Sequence, residues 1–166
     1  MKSKINYKAM LLILASSILL GFIYNTFSSD GIDLIRKSII VESVKIGEGN
    51  SSENTLRGID ISQAIKLHND NSAIFIDARD QWEFSESHIS GAISIPEFSF
   101  EKDNPILKTI PIESLIIVYC DGDDCDVSKR LAQELVELGY QETYVFLGGM
   151  KEWMEAELPI NKGLSE

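Results

Sequence analysis

The sequence predicts an α/β domain, with a mostly parallel sheet covered by helices on both faces, preceded by one transmembrane helix. Three observations predict this. The apolar runs "AIFID" (73–77) and "ESLIIVYC" (113–120) suit strands buried on both sides. Segments with helical spacing alternate with such runs, above all "DVSKRLAQELVELGY" (126–140). A long uncharged stretch stands near the N-terminus.

That stretch, "AMLLILASSILLGFIY" (9–24), has sixteen residues without charge, and Asn25, Thr26 and Phe27 extend it to nineteen. As a helix it would be about 28 Å long, close to the hydrocarbon thickness of a bilayer. Lys2, Lys4 and Lys8 precede it and Asp30 follows it. The positive-inside rule then makes 1–8 a cytoplasmic basic tail and 9–27 a signal anchor in the lipid bilayer, with the globular part in the periplasm or outside the cell. A cleaved signal peptide is the alternative, although Thr26-Phe27-Ser28 matches a cleavage site poorly. Residues 28–56 read as a linker. "SSDG" signals a turn, "LIRKSIIVESVKI" suits either a short strand or an amphipathic piece, and "GEGNSSENT" has loop composition.

Residues 57–160 read as the globular domain. "SQAIKLHN" (62–69) is a helix with Ser62 at its N-cap. The strand 73–77 ends in Asp77. "DQWEFSES" (80–87) is a short helix capped by Asp80, and "GAISIP" (91–96) a strand closed by Pro96. The strand 113–120 ends in Cys120. The helix 126–140 carries Val127, Leu131, Leu135 and Leu138 on one face, and Gly139 stops it. "TYVFLGG" (143–149) is a further strand, "MKEWMEA" (150–156) a short helix, and 161–166 a tail. Trp82 and Trp153 read as packing residues, and His88 as a residue that holds its turn by hydrogen bonds.

Composition is ordinary for a folded chain, with 44% hydrophobic and 25% charged residues. The net charge is −11, and since residues 1–29 are basic the acid excess lies wholly in the remainder. An acidic body argues against a nucleic-acid partner.

Several separated segments together resemble the rhodanese-type domain. Ile76, Asp77 and Arg79 follow the first apolar strand, then come Trp82-Glu83-Phe84 and the turn His88-Ile89-x-Gly91-Ala92. The second half repeats the family order of strand, cysteine, loop, helix, Gly-Tyr, strand, Leu-Gly-Gly and a terminal helix with Trp153. The resemblance implies a five-stranded parallel sheet in three layers. It also implies sulfur transfer without a cofactor or metal. A cysteine thiolate takes sulfane sulfur from a donor, becomes a persulfide, and passes the sulfur to a small-molecule or protein thiol. Cys120 would be the nucleophile, with Asp121, Gly122, Asp123, Asp124 and Cys125 forming a substrate-binding loop whose main-chain N–H groups cradle an exposed sulfur. Asp77 and Arg79 would support the site.

The loop departs from the pattern of many active members, which carry Arg or Lys there. This one carries Asp121, Asp123, Asp124 and Asp126, and it is enlarged. It is similar to a related branch with the pattern Tyr-Cys-(Asp/Asn)-Gly-x-x-Cys-x-x-Ser. Relatives with a Cys-x5-Arg loop are phosphatases and arsenate reductases, but position 126 is Asp and offers an oxyanion nothing. A helix N-terminus stabilises a thiolate by about 0.3–2 kcal/mol. Four carboxylates at about 8 Å oppose it by about 2 kcal/mol together. The balance predicts an ordinary thiol pKa for Cys120. Cys125, five positions on, suits a disulfide with Cys120 in an oxidising compartment, or resolution of a persulfide or sulfenate. Zinc would need His68 and His88 beside the cysteines, and both belong to other parts of the pattern. Two further functions therefore stand beside sulfur transfer: a non-catalytic interaction or sensing module, and thiol–disulfide exchange through Cys120 and Cys125.

Overall fold

The computed structural model describes residues 6–27, 41–43, 55–122 and 125–163. The chain forms two units, Met1–Ser38 and Ile39–Glu166. In the first, helix α1 (Tyr7–Phe27) has 21 residues, is roughly 32 Å long and is apolar enough to cross a membrane. None of its side chains is buried.

The second unit runs β1 (Val41–Ser43), β2 (Leu56–Ile59), α2 (Ile61–Asn69), β3 (Ile74–Asp77), α3 (Gln81–Glu86), β4 (His88–Ile89), β5 (Ile93–Ser94), β6 (Ile116–Tyr119), α4 (Val127–Glu137), β7 (Thr143–Phe146), α5 (Gly149–Glu155) and β8 (Ile160–Asn161). The main sheet has the order β1-β2-β7-β6-β3-β5, with every pairing parallel. The expected α/β architecture is present, and the three-residue β1 adds a sixth strand at one edge.

Strand alternation divides the apolar side chains into two cores. Ile76, Ile116, Val118 and Val145 face α4, meeting Leu131, Ala132 and Leu135. Phe75, Ile117, Tyr119, Tyr144 and Phe146 face the other way, meeting Ala64 and Leu67 of α2, Phe84 of α3, and Met150 and Trp153 of α5. Both faces of β6 are thus covered, which is why its four residues are all buried and all apolar or aromatic.

Three local expectations are corrected. The cap of α2 is Asp60, not Ser62. Asp60 accepts from the Gln63 N–H while the Gln63 side chain accepts from the Asp60 N–H, and this reciprocal pair moves the helix start upstream. The boundary at 56 falls one residue late, since β2 begins at Leu56, and of the two alternatives left open for "LIRKSIIVESVKI" the described residues 41–43 form a short strand, β1. The 161–166 tail begins inside a strand, because Asn161 of β8 pairs with His88 of β4.

Candidate functional site

Strand β6 lies between β3 and β7. The chain leaves β3 toward β5 on one side and leaves β6 toward β7 on the other. The carboxyl ends of β3 and β6 therefore flank a topological switch point, where an open α/β sheet leaves a crevice. Asp77 and Tyr119 are register partners there. Arg79 follows one strand and Cys120 the other.

A cavity of about 1040 Å³ opens at this place. Cys125, Asp121 and Gly122 line it from the loop after β6, Arg79 from the loop after β3, and Lys151 from the first turn of α5. Five carboxylates (Glu83, Glu86, Asp121, Glu152, Glu155) outnumber the two cations in its wall. The wall is therefore acidic, although of the four loop carboxylates singled out in the sequence only Asp121 is among the described residues that line it. Neither cation belongs to the cysteine loop, and Lys151 escapes sequence reasoning because it reaches the site from a distant helix.

Cys120 is covered where the sequence expects an exposed sulfur, while its pairing with Cys125 is one of the alternatives the spacing left open. It is 1% exposed and forms a disulfide with Cys125, at a Cα–Cα separation of 6.5 Å. The sulfur is not open at the base of the loop, because Cys125 closes over it from the cavity side. The main-chain cradle is also partly spent elsewhere, since the Cys125 N–H donates to the Gly122 carbonyl at 2.9 Å. Among the described residues the polar side chain nearest the Cys120 sulfur is instead the Ser128 hydroxyl, 3.2 Å away and 2% exposed. Ser128 carries no role in the sequence reading. Its signal was the last letter of the Cys-x-x-Ser spacing, which makes it the second residue of α4, beside the strand end.

The strand end and loop start are fixed from α5. The Met150 N–H donates to the Cys120 carbonyl at 2.7 Å, and the Lys151 N–H to the Asp121 carbonyl at 2.9 Å. Gly149 permits this approach. Its φ is +57°, and a β-carbon there would collide with the Cys120 carbonyl oxygen and lie 2.6 Å from the Asp121 carbonyl carbon. The start of α4 is fixed separately, by the bidentate Arg130–Glu97 pair at 2.7 and 3.0 Å.

Asp77 and Arg79 join the two loops. Asp77, fully buried, accepts from the Arg79 main-chain N–H, from Nε and from Nη2 at 2.7–3.3 Å. Arg79 also donates to the Ser87 carbonyl at 2.8 Å and pairs with Asp121 at 3.4 Å. Burial alone would lower the Arg79 pKa, but the Asp77 hydrogen bonds and charge outweigh it and raise it. For the Tyr119 hydroxyl burial acts in the opposite sense and, with the Asp77 charge, raises its pKa, so it stays protonated. The Glu83 carboxyl is also raised, first by burial and then by Asp121.

Asp121 pairs with Arg79, and Asp126 with Lys129 at 3.2 Å. Two of the four loop carboxylates are thus compensated, which weakens the opposition to a Cys120 thiolate that the bare sequence suggests. Asp123 and Asp124 lie outside the described residues. Among the described residues no three His, Cys, Asp or Glu side chains are grouped to hold a metal. The His68 ring bonds the Ser90 carbonyl, and His88 bonds the Phe84 carbonyl while stacking on the Phe84 ring. Trp153 is buried, but Trp82 is 84% exposed rather than packed. It lies two residues from Phe84, about 200° around a helix of which Phe84 takes the buried face.

Residues 60–156 match the family described as Rhodanese-like domain. The chain is 32% identical over 111 residues to a thiosulfate sulfurtransferase GlpE from Glaesserella parasuis, covering 67% of this chain and 98% of that protein. It is 36% identical over 89 residues to the thiosulfate sulfurtransferase GlpE of Haemophilus influenzae strain PittEE, covering 54% and 80% respectively. Among solved structures, the BH2092 protein from Bacillus halodurans superposes with a TM-score of 0.58 at 27% identity, covering 63% of this chain and 76% of that one. A rhodanese-related protein from Thermoplasma volcanium shares the fold at 21% identity, with a TM-score of 0.52 over 63% of this chain and 97% of that one.

Proposed function

The chain belongs to the rhodanese-like domain family, and on that premise we propose that it is a sulfurtransferase that carries sulfane sulfur as a persulfide on Cys120 and hands it to an acceptor thiol at the outer face of a membrane. One observation carries the reading. Cys120 ends the central strand at the switch-point crevice, with a buried hydroxyl 3.2 Å from its sulfur. In the reduced protein that hydroxyl can turn to donate to the sulfur and so favour the thiolate, which is the nucleophile. The disulfide is the resting, closed form, and reduction opens the sulfur to the cavity. Asp77 and Arg79 hold the two loops together, and Asp121, Gly122 and Cys125 shape the entrance. Helix α1 supports the membrane placement through residues 9–27, with the domain on the periplasmic or extracellular side.

Thiosulfate, the substrate in the names of the two curated relatives, is the donor to try first. Arg79 and Lys151 attract it, while the carboxylate majority in the wall slows its approach, so added salt speeds loading. The test is intact mass of the reduced full chain in detergent after exposure to thiosulfate under argon. Cys125→Ser gaining one sulfur atom that Cys120→Ser does not gain supports the reading, and no sulfur on either refutes it. Thiol–disulfide exchange is the second reading, and the Cys120–Cys125 disulfide favours it. It predicts instead that oxidised chain oxidises a reduced protein dithiol while its cysteines accept no sulfur.

A further inference from the structure

We infer that Cys125 is a resolving thiol that discharges the Cys120 persulfide as hydrosulfide and leaves the intramolecular disulfide behind. The inference rests on the persulfide reading above and adds an outcome to it: sulfane sulfur can leave the protein reduced, without an external acceptor.

The two cysteines occupy unequal positions. Cys120 is buried at the strand end, while Cys125 is half-buried and lines the cavity. A donor sulfur added to Cys120 must project toward the cavity, where Cys125 closes the loop. The backbone on both sides is held, at Cys120 and Asp121 by the α5 N–H groups and at Cys125 by its bond to Gly122. Such a frame keeps the Cys125 sulfur within bonding reach of the inner, Cys120 sulfur, since the two are joined in the structure. The Cα–Cα separation of 6.5 Å is in the range that disulfides span. The disulfide that the chain holds is the product this step predicts.

The chemistry balances. The Cys120 thiolate attacks the outer sulfur of thiosulfate, an S–S bond forms, and sulfite leaves. The Cys125 thiol then loses its proton and attacks the inner sulfur of the persulfide. The Cys120–Cys125 bond forms, the bond to the outer sulfur breaks, and that sulfur departs as hydrosulfide. The sulfane sulfur gains two electrons, and the two cysteine thiols lose them. Hydrosulfide is a better leaving group than an alkyl thiolate because its conjugate acid is the stronger. A second turnover needs a dithiol reductant, which meets the more exposed Cys125 sulfur first. Cys120 is then the leaving thiolate, received by the Ser128 hydroxyl.

The experiment uses full chain in detergent, reduced, freed of reductant under argon and mixed with one equivalent of thiosulfate, with a donor-free control. Sulfite, sulfide and intact mass are measured together. Wild type is expected to release sulfite and sulfide in equal amounts and to lose two hydrogens. Cys125→Ser is expected to release sulfite, keep one added sulfur and yield at least tenfold less sulfide. Cys120→Ser is expected to release neither. If wild type releases sulfite but keeps the added sulfur, or if its sulfide yield equals that of Cys125→Ser, the resolving role is overturned and the persulfide reading stands. If neither wild type nor Cys125→Ser releases sulfite, the persulfide reading fails and this inference fails with it.

Discussion

The Ser128 hydroxyl lies 3.2 Å from the Cys120 sulfur, and both are nearly sealed from solvent. Inside the protein such a donor counts for more than at a surface, because no water replaces it. In the reduced protein it stabilises the thiolate over the thiol. Ser128→Ala, in a Cys125→Ser background, should therefore raise the Cys120 pKa. A loss of about 1 kcal/mol corresponds to a roughly fivefold fall in alkylation rate near neutral pH. Iodoacetamide rates across a pH series measure this, and Ser128→Thr should restore the profile. Identical profiles for serine and alanine would show that the contact does nothing to the thiolate.

Arg79 makes Asp77 tolerable. A carboxylate with no exposed surface takes four contacts from one arginine, main-chain N–H included. Arg79→Ala leaves that charge buried and unpaired, at a cost of about 3–5 kcal/mol. Arg79→Lys should recover little, since an ammonium cannot reproduce the fork. Adding Asp77→Ala to Arg79→Ala should regain much of the loss. Urea unfolding of the full chain in detergent, followed through the buried Trp153, gives all three values, and a double variant no better than Arg79→Ala would contradict the account.

The parts of this fold that were legible were those where chemistry repeats along the chain. The buried run Ile116–Tyr119 and the spacing of Leu131 and Leu135 declare a strand and a helix by period alone. Strand β2 was hidden because its four residues include Arg57 and Gly58, which break an apolar run. Gly58 is small because Val41 packs against it, a contact made across a chain connection that no local pattern encodes. Trp82 misled because bulk was taken for burial, while a short helix with one buried face has room for Phe84 and not for its neighbour. At the site, Cys120 and Cys125 were visible from spacing, but which of them would be covered was not. That depends on α5, whose N–H groups hold the Cys120 and Asp121 carbonyls from some thirty residues downstream.

That α5 contact makes Gly149 a sensitive position. Alanine there meets the left-handed backbone at φ +57° and pushes into the Cys120 and Asp121 main chain. Backbone strain of this kind costs about 1–3 kcal/mol, but the loop can relieve it by moving away. Gly149→Ala should therefore keep much of its stability and lose loop geometry. The expected result is slower closure of the Cys120–Cys125 disulfide after reduction, by tenfold or more, read by thiol counting during reoxidation. Gly163, also at positive φ but with open space around it, is the control: Gly163→Ala should leave closure unchanged.

Glu83 gives the acidic wall a pH signature. Partial burial and then the Asp121 charge raise its carboxyl above the ordinary glutamate range, against the Asp80 N–H hydrogen bond and the Arg79 charge, which lower it, while the Asp80 charge adds to the rise. A carboxyl raised in the folded state contributes stability that is fully present below its unfolded pKa. That contribution is lost as pH rises through the folded value. Glutamine at this position cannot ionise, yet it keeps an oxygen to accept the Asp80 N–H, which Glu83 now accepts at 3.3 Å in the capping box of α3. Glu83→Gln should match wild type near pH 4 and exceed it near pH 7 in urea midpoint. Because Glu83 also lines the cavity, the same substitution removes one carboxylate from the path of an anionic donor. It should speed thiosulfate loading at low salt, and the advantage should shrink as salt screens the wall. A midpoint for Glu83→Gln at or below wild type near pH 7 would remove the electrostatic strain assigned to this carboxylate.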